Sequence, residues 1–127
     1  MPSLTELPAD ALQVVRDSAD VLLRFRDFLP PNGLLVMLAG RFRDDVREAL
    51  ELEPLPRAYH GRERRSLDEL TSVELDTLAG AVAVLLQDRF SSCMDDPALA
   101  PLLRELGGAL DEQEAERAQI RAEIGAS

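Results

Sequence analysis

Apolar residues recur at intervals of three and four along most of this chain, which is the spacing of one face of an α-helix. No segment alternates apolar and polar residues as a half-buried strand does. The pattern therefore predicts an all-α protein, a compact four- to five-helix bundle that forms a single domain over residues 1–127. The predicted helices are helix A (9–29), helix B (34–52), helix C (73–90), helix D from Pro97, and a last helix (109–124).

Local signals place the ends of these helices. The Ser-x-x-Glu and Thr-x-x-Glu sequences at Ser66–Glu69 and Thr71–Glu74 have the form of capping boxes, so we expect a short helical turn and then the start of helix C. The middle of helix C is apolar on every side, which predicts a central, buried helix. Gly107-Gly108 is expected to break helix D because glycine is unfavourable inside a helix.

The first and second halves of the chain resemble each other. Shifting the sequence by 63 residues aligns 3–26 with 66–89 and gives nine identities in 24 positions. One interpretation is a duplicated helical hairpin, with two halves related by a pseudo-twofold axis. The other is the general similarity of capped, leucine-rich helices. The predicted organisation is a first half (3–53), a connector (54–65), a second half (66–108) and a C-terminal helix (109–124).

The connector concentrates positive charge in an acidic protein. Four of the 14 arginines fall between residues 57 and 65, in a chain of net charge −10 with no lysine. Guanidinium groups beside a tyrosine could contact phosphate or a nucleic-acid base, but the net negative charge of the chain opposes a polyanion. A solvated loop that pairs with nearby acidic helix ends is the simpler interpretation. The connector residues that we predict to contact a partner are Arg57, Tyr59, His60, Arg62, Arg64 and Arg65.

The last predicted helix has few large apolar residues. Leu110, Ile120 and Ile124 form a sparse stripe, whereas most other positions are charged or alanine. A helix of this kind is either exposed to solvent or completed by contact with a partner. We therefore count these three residues among the predicted partner contacts, the partner being another protein or a second copy in a homodimer.

The residues that carry most enzyme chemistry are scarce. Cys93 and His60 are the only cysteine and histidine, so an internal disulfide or a usual zinc site is not expected. The sequence contains no phosphate-binding glycine loop, and we predict no catalytic residue, no metal and no cofactor. Asp45, Glu48 and Glu51 share a helix face at a spacing that could bind a divalent cation, although an ordinary solvent-facing surface has the same pattern.

These observations lead to an expectation about function by exclusion. The sequence favours a small non-enzymatic helical protein that acts as an adaptor or regulator through protein–protein contacts. One alternative is a nucleic-acid-associated regulator that uses residues 57–65, and another is an acidic, metal-dependent nucleotide phosphohydrolase. The N-terminus lacks a secretory pattern and the apolar runs are short, so a cytoplasmic location without membrane contact is expected. The arginine-only basic residues suggest a GC-rich, bacterial genome.

Overall fold

The computed structural model describes residues 3–29, 33–53 and 65–125, and these residues form helices and turns without any strand. The all-α bundle predicted from the sequence is confirmed. No helix within these ranges is long and apolar enough to cross a bilayer. The α-helices are α1 (Ala9–Arg24), α2 (Leu34–Ala49), α3 (Ser72–Leu85), the four-residue α4 (Asp88–Ser91) and α5 (Leu99–Gly125). The 3₁₀ turns are Leu4–Glu6, Arg26–Phe28 and Leu67–Glu69.

The start of α3 is fixed by the capping box expected from the sequence. The Thr71 hydroxyl accepts a hydrogen bond from the Glu74 amide at 3.1 Å, and the Glu74 carboxylate accepts one from the Thr71 amide at 3.0 Å. These two bonds satisfy amides that have no partner inside the helix. The pKa of Glu74 lies below its ordinary value, first because the Thr71 backbone amide hydrogen-bonds to the charged carboxylate and second because the Thr71 side chain does so.

The core lies where α1 and α3 pack against each other. α1 also packs on α2, α3 on α5, and α2 on α5. As predicted, α3 is central, with Leu75, Leu78, Val82 and Leu85 almost completely buried. The driving force is the burial of aliphatic side chains, since Ser18 is the one buried polar residue of the described chain.

The two halves of the molecule repeat one order of elements. Each begins with a 3₁₀ turn, continues with a long helix and a short turn, and ends with a second long helix. In each half the first turn contacts the last helix of the same half. With a shift of 63 residues, the buried positions of α1 and α3 coincide at Leu12/Leu75, Val15/Leu78, Ala19/Val82 and Leu22/Leu85. With a shift of 64, those of α2 and α5 coincide at Leu35/Leu99, Ala39/Leu103, Phe42/Leu106 and Val46/Leu110.

Several predicted helix ends were wrong by a few residues. α1 ends at Arg24 and not at 29, and α3 ends at Leu85 and not at 90, in each case followed by a short separate turn. α2 ends at Ala49 through a turn in which the Leu52 amide donates to the Arg47 carbonyl at 2.8 Å. This turn places Glu51 at φ 60°, a left-handed conformation that helix ends usually assign to glycine.

The predicted break at Gly107-Gly108 does not occur. α5 is one helix of 27 residues that passes through both glycines. A Cβ atom added to Gly107 would lie 3.5 Å from Val82, so this position faces α3 at close approach. Burial of Leu103, Leu106 and Leu110 against the bundle outweighs the cost of about 1 kcal/mol that each glycine imposes on a helix.

Candidate interaction surface

α5 changes character at Leu110. Its buried leucines are spaced by four, three and four residues, and the same spacing continues through polar residues to two isoleucines. Leu110 is 1% exposed and belongs to the core. Its place in the predicted partner surface is therefore corrected, because its side chain is already enclosed by the bundle. The complete stripe is Leu99, Leu103, Leu106, Leu110, Gln113, Arg117, Ile120 and Ile124.

Beyond Leu110, the side chain of Arg117 holds α5 to the bundle. Arg117 donates hydrogen bonds from Nη2 to the backbone carbonyls of Leu70 at 2.5 Å and of Asp68 at 3.3 Å. Both carbonyls belong to the turn that precedes α3. The contact shows that the stripe still faces the bundle at Arg117, roughly 10 Å along the axis from Leu110 at 1.5 Å per residue.

Ile120 and Ile124 lie one and two turns beyond this anchor. Their exposed fractions are 49% and 70%, which places them among the most exposed large apolar residues of the described chain. All residues from Ala118 to Gly125 are exposed. The end of α5 thus presents two isoleucines on a helix whose equivalent stripe is fully buried four turns earlier.

An acidic edge lies beside these isoleucines. Glu112, Glu116 and Glu123 are separated by four and seven residues, so they line one side of the stripe. All three are exposed, and none forms an ion pair with another described residue. Arg121 lies on the other side of the stripe, where its Nε donates to the carbonyl of Arg117 at 3.4 Å.

Arg65 is the one predicted connector contact that falls within the described residues. Its backbone amide donates to the Asp27 carbonyl at 2.9 Å, and its guanidinium lies 5.0 Å from the centre of the Phe28 ring. Its Nε is 3.4 Å from the Glu69 carboxylate. Arg65, the last residue of the connector, therefore joins it to the turn between α1 and α2. The other predicted contacts, Arg57, Tyr59, His60, Arg62 and Arg64, lie outside the described residues.

A cavity of about 240 Å³ lies between α2 and the start of α5. Leu38, Phe42 and Leu99 form its apolar lining, and Asp45 and Asp95 contribute carboxylates. Burial raises the pKa of Asp45 above its ordinary value, and repulsion from Asp95 raises it further. The surroundings of the cavity therefore disfavour the charged form of the Asp45 carboxyl group.

The alternative metal site predicted on α2 gains no support from this arrangement. Within residues 3–29, 33–53 and 65–125, no group of three or more acidic, histidine or cysteine side chains is arranged to bind a metal ion. Asp45 and Glu48 are close enough to repel each other. Glu51 lies in the turn after α2 with a left-handed backbone, outside the helix that was expected to carry it.

Comparison with protein-family models, with curated proteins and with solved structures finds no match. The surfaces of this chain must therefore be interpreted from their own chemistry.

Sequence reasoning overlooked the anchor Arg117 and the acidic edge. The signal was present, since the three- and four-residue spacing of the stripe continues from Leu99 to Ile124 without interruption. The assumed break at Gly107-Gly108 divided this pattern into two short helices. Once the helix is continuous, the position of every charged residue relative to the stripe follows from a rotation of about 100° per residue.

Proposed function

We propose that this protein acts through contacts with another protein, as a non-enzymatic adaptor or regulator, and that the exposed end of α5 supplies the contact surface. We define this end as residues 114–125. The observation that carries the proposal is the difference between α5 and α2. α2 ends three residues beyond its last buried residue, Val46, whereas α5 continues for fifteen residues beyond Leu110.

Helix length is costly to maintain without burial. A short helical segment is only marginally stable in water, because each ordered residue loses conformational entropy. The end of α5 has little burial of its own to offset that loss, and it exposes Ile120 and Ile124. Burial of two isoleucines against a partner would offset it, at about 25 cal/mol per Å² of apolar surface removed from water.

The two alternative functions are less well supported. A nucleic-acid contact would need the connector arginines, and Arg65, which is described, is already engaged with Phe28 and Glu69. The described residues offer no grouped metal ligands for a phosphohydrolase. The cytoplasmic location expected from the N-terminal sequence is part of the proposal.

The test compares two variants that add the same charge on opposite faces of one helix. Ile120→Glu places a carboxylate on the apolar stripe, whereas Ala122→Glu places one on the far side, where Ala122 is exposed. Immobilised wild-type protein and both variants are incubated with extract of the source cells, and the retained proteins are identified and then purified. We expect one purified partner to bind wild type and Ala122→Glu equally, and Ile120→Glu at least about tenfold more weakly, as for a central interface residue.

Circular dichroism and urea unfolding must first show that all three proteins fold alike. Equal retention of the same proteins by wild type and Ile120→Glu would contradict the proposal. So would a partner that binds undiminished after removal of residues 114–125.

A further inference from the structure

The chemistry of the exposed end of α5 specifies the kind of partner. We propose that it docks a basic amphipathic helix of another protein, which lays its own apolar stripe on Ile120 and Ile124 and places arginine or lysine beside Glu116 and Glu123. This inference rests on the proposed function, because it assumes that the end of α5 is a contact surface.

The spacing of the stripe indicates a helical partner. Apolar positions separated by three and four residues form the seam of a coiled coil, in which two helices cross at a small angle. Inside the molecule the same stripe is buried, since Leu103, Leu106 and Leu110 belong to the hydrophobic core. A partner helix at Ile120 and Ile124 would continue the same packing past the end of the bundle.

The charge beside the seam indicates a basic partner. Residues 114–125 contain three carboxylates and two arginines, so their net charge is −1, but Glu116 and Glu123 share one side of the stripe and Arg121 lies on the other. Glu112 and Glu116 are separated by four residues, a spacing at which like charges destabilise a helix. Their repulsion, and the exposed carboxylate of Glu123, would be relieved by cationic side chains on the partner.

A second copy of this chain is the less suitable occupant. Each copy carries a net charge of −10, and pairing two ends of α5 would bring together two segments that are each net negative. The stripe also faces the bundle at Arg117, so a second copy would have to pair with the residues beyond it. An antiparallel pair with Ile120 opposite Ile124 would place Arg121 near Arg121 and Glu123 near Glu123.

The test uses two synthetic three-heptad peptides with leucine at both seam positions. One peptide has arginine and lysine at the flanking positions, and the other has glutamate there. Binding to the full chain is measured by calorimetry at low and high salt. We expect the basic peptide to bind at least tenfold more tightly than the acidic one, and added salt to reduce the difference.

Charge reversal provides the matched control. Glu116→Arg combined with Glu123→Arg should abolish or invert the preference for the basic peptide. Asp76→Arg combined with Asp111→Arg changes the net charge equally on exposed positions away from the seam, and should leave most of the preference intact. Ile120→Glu should weaken both peptides, and Ala122→Glu neither.

Two results would overturn the inference. One is equal affinity for the two peptides, or the same loss of preference in both double variants. The second of these outcomes would mean that the net charge of the protein, and not the position of Glu116 and Glu123, determines the preference. The other is a wild-type dimer in sedimentation equilibrium that Ile120→Glu dissociates, which would assign the surface to a second copy. In either case, a purified partner that Ile120→Glu releases would still support the contact function, so the two proposals fail separately.

Discussion

α2 and α5 place their buried residues at equivalent positions, but the two helices end differently. After Val46, α2 stops at Ala49 and turns sharply through Glu51. After the equivalent Leu110, α5 passes position 113, the equivalent of Ala49, and continues to Gly125. The comparison shows that α2 and α5 contribute buried residues to the core only as far as Val46 and Leu110, respectively. Among the described residues of the first half, no helical segment corresponds to residues 114–125.

The largest expected effect tests whether the halves contribute equally to the core. Leu22→Ala and Leu85→Ala remove equivalent side chains, both almost completely buried. Each should lower the free energy of unfolding by about 2–5 kcal/mol in urea denaturation, because each leaves a cavity. Val73→Ala, at the most exposed large apolar residue of α3, is the control and should cost less than about 0.5 kcal/mol. A loss for one leucine several times that for the other would break the equivalence of the halves.

An intermediate effect is expected from removing residues 114–125. The truncated protein loses the Arg117 hydrogen bonds to Leu70 and Asp68, which should cost about 1–2 kcal/mol of unfolding free energy. Arg117→Gln in the full chain should reproduce most of that loss in the same urea titration. If truncation instead destabilises the protein as much as Leu85→Ala, the end of α5 belongs to the core and the comparison with α2 fails.

The smallest effect concerns a position at which the two second helices differ in charge. Asp45 of α2 faces Asp95, whereas its equivalent in α5 is Ala109. Because the folded state raises the pKa of Asp45, the charged carboxylate is disfavoured at neutral pH. Asp45→Asn should therefore raise the melting temperature slightly at pH 7, and the gain should vanish as the pH falls below the ordinary value of 3.8. A gain that is the same at both pH values would exclude this electrostatic cause.

Much of the fold could be predicted from the sequence because the helix-capping residues and the spacing of the apolar residues indicated the same helices. The Thr71–Glu74 capping box was confirmed, and the apolar run of α3 correctly indicated the centre of the bundle. The 63-residue echo also anticipated the shared burial of positions such as Val15 and Leu78. In these places the local preference and the tertiary packing require the same residues.

The rest could not be predicted because packing overrides local preference. Gly107-Gly108 favours a break, but the leucines on both sides are buried on one face of a continuous helix. α2 ends in a left-handed Glu51, although its sequence has no glycine there to mark the turn. The burial of Leu110 was also missed, since it depends on α5 continuing past the glycines.

The continuity of α5 determines where any bound partner would be. α5 is continuous from Leu99 to Gly125, so an unbroken helix joins its end to the leucines that pack in the bundle. Its tip lies about 22 Å from Leu110, at 1.5 Å per residue. A partner bound there would be held at a defined distance and angle from the bundle. Under the proposed function, the position of the end of α5 would therefore set how a partner is oriented relative to the bundle.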